Sequence, residues 1–203
     1  MKRTLLAVAA ITCMALPASA AGLSKTYSYF SIGGNTLDEI EAELSRRGPH
    51  VKTSNKRHPG ATQMEFTTRL GYAQGPGYCQ VVQATVNLKV KVILPKWRRP
   101  GKAEQDVKLI WDTLSSDIKR HEESHIVIAK NYAREMEQAL KATGRQKDCQ
   151  AATAKAKEVR ANILEKHDRA QQEFDRVESI NFESRIMRLL HYRLQRMEAA
   201  RRG

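Results

Sequence analysis

Arg120-His121-Glu122-Glu123-Ser124-His125 is the one segment of this sequence whose residue types and spacing define a reaction. Two histidines four apart on a helix project from the same face, one turn apart. Both imidazoles can therefore reach one zinc ion at about 2.0–2.1 Å. The intervening Glu122 can act as general base toward a zinc-activated water. Zinc lowers the pKa of such a water toward about 7 and polarises a scissile carbonyl, so hydrolysis of a peptide bond at neutral pH is the chemistry these residues fit. Projected at about 100° per residue, His121 and His125 continue the apolar stripe of Trp111, Leu114 and Ile118, where a purely structural helix would carry Leu or Ile. We expect one Zn2+ per chain.

The helix that must position them is long. From about Ala103 to Thr143 the apolar positions Val107, Ile110, Trp111, Leu114, Ile118, Ile128, Tyr132, Met136 and Leu140 keep a three-and-four spacing, and Gly144 follows as a C-cap. A second helical region runs from Ala151 to about Arg201, lined by Val159, Ile163, Ala170, Phe174 and Val177, with a strongly basic end. Ahead of the first helix, Lys25 to Ile32 reads as a strand ending at Gly33-Gly34. Thr36 and Glu39 then form a capping box for a short helix bearing Leu37, Ile40 and Leu44 on one face, which Gly48-Pro49 stop. Ala61 to Leu70 and Cys79 to Leu94 read as strands around a Gly-rich turn, Gly71 to Gly77, and Pro95 and Pro100 bracket a basic loop. The expected fold class is α+β: a small antiparallel sheet packed with the motif helix and the second long helical region.

Met1-Lys2-Arg3, the apolar run Leu5 to Leu16, Pro17 and Ala18-Ser19-Ala20 have the layout of a secretory signal cleaved after Ala20. No later stretch approaches the roughly 20 apolar residues of a membrane span. The expected location is periplasmic or secreted. Cys13 leaves with the signal, and the remaining pair, Cys79 and Cys149, is expected to form a disulfide in an oxidising compartment. Lys+Arg number 35 against 22 Asp+Glu, and removing Lys2 and Arg3 leaves a net charge of +11. That balance favours anionic partners such as lipid headgroups or acidic envelope polymers. Nucleic acid is not an expected partner, because the chain carries an export signal and no nucleic-acid motif. His50, His58 and His191 lie in basic surroundings and read as solvated surface.

The order of motifs resembles a bacterial domain-of-unknown-function family described as predicted secreted zinc-dependent proteases. From Tyr27 to Phe174-Asp175 it includes the aromatic strand followed by Gly33, Glu43-Leu44, Gly48-Pro49, the strand led by Cys79, Leu94-Pro95 with Trp97, Trp111, the H-E-x-x-H and Cys149. The resemblance implies secretion, zinc and a peptidase acting on protein or peptide substrates. The expected organisation is a signal over 1–20, a zincin-like metallopeptidase domain over 21–180 and a basic helical extension over 181–203. This sequence departs from the family pattern where members carry a threonine and then His-Gly, for here Glu178 and Ile180-Asn181 stand instead.

Three residues of the second helical region compete for the third zinc position: His167, Asp175 and Glu178. With Val159 at 0°, His167 falls near 80°, Glu178 near 100° and Asp175 near 160°, about 100° being added per residue. Asp175 is turned away from the apolar stripe on this projection. The resemblance places the metal-proximal segment just after the aromatic-Asp pair, which selects Glu178 as ligand and leaves Asp175 to orient a ligand histidine. Three readings stay open: a peptidase with Glu122 as base, a non-catalytic, zinc-stabilised basic module that binds the envelope, and a basic envelope-binding protein with no metal. A closed shell of four protein ligands would mark the second, and an open position the first.

Overall fold

The computed structural model describes residues 22–51, 55–98 and 103–202. The expected signal over 1–20, Cys13 and Pro100 lie outside the described residues. Strand β1 (Leu23–Ile32) leads into α1 (Leu37–Arg47), whose N-terminus carries the expected capping box of Thr36 and Glu39. Two short strands, β2 (His50–Val51) and β3 (Lys56–Arg57), pair with each other ahead of the hairpin of β4 (Ala61–Gly75) and β5 (Tyr78–Trp97). The rest is helical: α2 (Gln105–Lys141), then β6 (Arg145–Gln146), α3 (Cys149–Ile180) and α4 (Phe182–Arg202).

The fold class is α+β, as expected, but the sheet is mixed. Its order is β1-β5-β4, with β1 parallel to β5 and β4 antiparallel to it. β4 enters at the far edge and the hairpin returns β5 between the two, so β5 runs in the direction of β1. The segment Gly71 to Gly77 is mostly strand. A bulge lies between Gly71 and Tyr72, and the turn is confined to Pro76-Gly77, where Gly77 has φ 69°. β5 also runs through Pro95 to Trp97. Its pairing with β4 ends at Ala61–Ile93, so Pro95 faces only β1 and the missing N–H deprives β4 of nothing.

One face of β5 is buried along Val86, Leu88, Val90, Val92 and Leu94, and α2 lies across it. Ile118, Glu122, Ile126, Ala129 and Ala133 form the line of α2 turned to the sheet, and the two alanines are fully buried, which lets the helix approach closely. His121 and His125 flank that line and face α3. α2 has two neighbours, so its covered face is broader than a single apolar stripe.

Cys79 and Cys149 are bridged, with Cα atoms 5.0 Å apart at a sequence separation of 70. The bridge ties the start of β5 to the start of α3. The chain-entropy account assigns a loop of that length roughly 4 kcal/mol. α3 ends at Asn181, whose side chain donates to the Val177 carbonyl, and the expected single helical region is thereby divided into α3 and α4.

Candidate metal centre

α2 carries His121 and His125 with their rings edge to face, 4.7 Å between centroids, and α3 packs Phe174 against both rings at 5.0 Å. This apolar wedge fixes the ring planes. Asp175 follows it directly, and its Oδ1 lies 3.2 Å from His121 Nε2 and 3.1 Å from His125 Nε2. The two Nε2 atoms are themselves 3.1 Å apart. His121, His125 and Asp175 are the group that could hold a metal ion among the described residues.

The two carboxylates are placed differently from the helical projection. Asp175, projected as turned away, supplies the oxygen at the convergence point. Glu178, the expected third ligand, instead has Oε2 3.5 Å from His121 Nδ1, on the far side of that ring, and forms ion pairs with Arg120 and with Arg185, the latter at 3.3 Å. The projection fails because its reference, Val159, is only half-buried. The line of α3 that meets α2 here is His167, Gln171 and Asp175, a four-residue step that advances about 40° each time. The contact face has thus migrated round the helix by Asp175.

His125 is held from behind by the same line. Its Nδ1–H donates to Gln171 Oε1 at 2.6 Å, leaving Nε2 for the centre. Gln171 Nε2 donates to the His125 carbonyl at 3.1 Å and to His167 Nε2 at 2.9 Å, and His167 Nδ1–H donates to Asp168 Oδ1 at 2.9 Å. His167 is 5 % exposed and is committed to this relay, so it is not at the convergence point. Gln171 escaped the sequence reading, although its place midway between His167 and Asp175 at four-residue spacing was a usable signal.

Glu122 is 5 % exposed and accepts a hydrogen bond from Thr62 Oγ1 at 2.7 Å. Gly60 lies flat against it: a Cβ there would meet Glu122 Oε1 at 2.8 Å and Ile118 Cγ2 at 2.9 Å. Burial pushes the Glu122 carboxyl above the usual carboxylate range, against the opposing Thr62 hydrogen bond. For Asp175 burial also acts upward, but the hydrogen bonds from His121 and His125 outweigh it and hold the carboxyl well below its ordinary value. Burial pulls His125 down, and its bonds to Asp175 and Gln171 reverse this and raise it.

The convergence point opens into a cavity of about 360 Å³ that His58, Thr62, Met64, Glu122 and Asp175 help to line. His58, read from the sequence as solvated surface, is half-buried in that wall, and burial lowers its pKa. His50 and His191 are exposed, as expected. Behind His121, Asp117 is 4 % exposed and accepts from Arg120 Nε at 2.8 Å and Arg185 Nε at 3.0 Å, which links α4 to the motif helix.

A family model described as "Bacterial protein of unknown function (DUF922)" matches residues 27–182, ending where α4 begins. No curated protein and no solved structure matches the chain.

Proposed function

We propose that this chain, which belongs to the DUF922 family of bacterial proteins of unknown function, is an exported zinc-dependent peptidase in which His121, His125 and Asp175 hold the ion and Glu122 is the general base. The convergence of three donor atoms carries the reading. Ligand atoms around a tetrahedral zinc with bonds of about 2.0–2.1 Å stand about 3.3 Å apart. The separations here are 3.1, 3.1 and 3.2 Å. Two imidazoles and one carboxylate leave one tetrahedral position open, the pattern of catalytic zinc. The signal-like layout of 1–20 and the Cys79–Cys149 bridge both support export to an oxidising compartment.

Zinc held there supplies a Lewis acid that acidifies a water and polarises a carbonyl. The remaining work belongs to the side chains. Glu122 takes a proton from the attacking water as its oxygen bonds to the carbonyl carbon. When the C–N bond breaks, Glu122 passes that proton to the leaving amine nitrogen. Thr62 holds the carboxylate in place for both transfers. Gln171 and Glu178 orient the two rings through their Nδ1 atoms, so that both Nε2 atoms face the ion.

The test is zinc content by mass spectrometry together with cleavage of casein-derived peptides. Wild type is expected to hold one zinc per chain and to cleave. Glu122→Gln should keep the metal and lose at least about a hundredfold in rate. Cleavage by Glu122→Gln at the wild-type rate removes Glu122 from the mechanism, and stoichiometric zinc in a His121→Ala/His125→Ala double variant removes the site.

A further inference from the structure

A second cavity, about 440 Å³, lies one turn of α2 from the candidate centre. Trp111, Leu114 and Ile118 of α2 form its floor and Ile40 and Leu44 of α1 its wall. At its lip stand Leu37 and Phe182, which keep 40 % and 45 % of their surface exposed although both are large and apolar. Leu37 sits on the same face of α1 as its buried neighbours, so the apolar face of that helix continues past what the fold itself covers.

The segment His58-Pro59-Gly60 runs between the two cavities. His58 lines both, Pro59 faces the groove and Gly60 faces the metal cavity. Gly60 keeps the partition thin, since a Cβ there would press on Ile118 and Glu122 together. Ile118 belongs to the groove, and His121 and Glu122, three and four residues on, belong to the centre. Their separation is thus about 5–6 Å. An extended peptide advances about 3.3 Å per residue. A residue next to, or one removed from, a bond held over the centre therefore reaches the groove.

We infer that this groove is the specificity pocket of the enzyme and receives a bulky apolar side chain, Phe, Leu or Met, of a peptide whose main chain crosses the centre. The inference rests on the peptidase reading for its ligand, but its binding step is measurable without hydrolysis. Burying such a side chain strengthens binding by roughly ten- to a hundredfold relative to alanine, following the transfer of its apolar area out of water. Trp111 lies in the floor and reports occupancy by its fluorescence.

The experiment uses zinc-loaded Glu122→Gln protein, which leaves peptides intact, and blocked hexa-alanine peptides in which one phenylalanine is moved along the chain. Titration followed by tryptophan fluorescence is expected to find a placement that binds at least about tenfold tighter than hexa-alanine, with the gain removed by Leu37→Glu/Phe182→Glu. Both substituted residues are exposed, so the fold is retained, which thermal melting checks. Equal binding at every placement, or a gain that survives the double variant, overturns the inference. Wild type then separates the two claims. Cleavage without any apolar preference removes the groove and keeps the peptidase, whereas phenylalanine-dependent binding without cleavage keeps the groove and removes the peptidase.

Discussion

The two halves of the candidate centre are held by different forces. On one side His121, Glu122 and His125 ride on α2, which is pressed against β5 by Leu88, Val90, Val92, Ile118, Ile126 and Ala129. On the other, the lower part of α3 and all of α4 bury little: α4 has no buried residue, and Ile180 and Met187 are 69 % and 61 % exposed. That side is fastened by Asp117, Arg120, Glu178 and Arg185, and by the relay through Gln171. Stability and metal-site geometry are therefore separable properties here. Apolar burial sets the first, and directional polar contacts together with Phe174 against both rings set the second.

Changes on the sheet side should move stability most. Reduction of the Cys79–Cys149 bridge is expected to lower unfolding free energy by roughly 4 kcal/mol, read in urea with zinc held in excess. A loss under 1 kcal/mol would show that the 70-residue loop is already constrained in the unfolded chain. Next comes Ile126→Ala, which empties a site 3 % exposed directly behind the histidines. We expect a loss of about 2–4 kcal/mol in stability, with metal affinity of the folded protein changed by no more than a few-fold. A large loss of affinity there would erase the distinction between the two halves.

Asp117→Asn tests the charged side. Burial acts to raise the Asp117 carboxyl, but the hydrogen bonds and charges of Arg120 and Arg185 outweigh it and hold it below its ordinary value. A depressed folded pKa contributes stability above the unfolded value of about 3.9, and this is lost as pH falls through that value toward the folded one. The variant should be less stable than wild type by about 1–3 kcal/mol at neutral pH, and the gap should narrow below about pH 4. A gap that does not change with pH would mean that shape and not charge holds this network. Smallest in free energy, Gln171→Ala and Glu178→Ala should each weaken zinc binding about tenfold while leaving the thermal midpoint of the metal-free protein nearly unchanged. Competition with a chromophoric chelator measures this, and unchanged affinity in both would detach the orienting contacts from the site.

The same division governs what the sequence made legible. Elements set by local patterning were readable: the capping box at Thr36, the alternation along β5, the length of α2 and the H-E-x-x-H on it. The pairing of Cys79 and Cys149 was readable from an even pair in a sequence that opens with a signal-like layout. What escaped depends on where segments distant in sequence meet. The parallel placement of β1 follows from the hairpin's return, which no local pattern records. The places of Asp175 and Glu178 depend on which line of α3 meets α2, because a helical projection keeps one reference face while the real contact line moves round the helix. His58 gave no sign of its place, since a basic loop reads alike whether it faces water or a cavity.

Anomalous diffraction at the zinc edge from crystals of the zinc-loaded protein tests the centre most directly. The account predicts one peak per chain, bonded at about 2.0–2.1 Å to Nε2 of His121 and His125 and to Asp175 Oδ1, with one position facing the cavity beside Glu122. A peak bonded to Glu178 or His167 in place of Asp175, a shell closed by a fourth side chain, or no peak at the two histidines would contradict it.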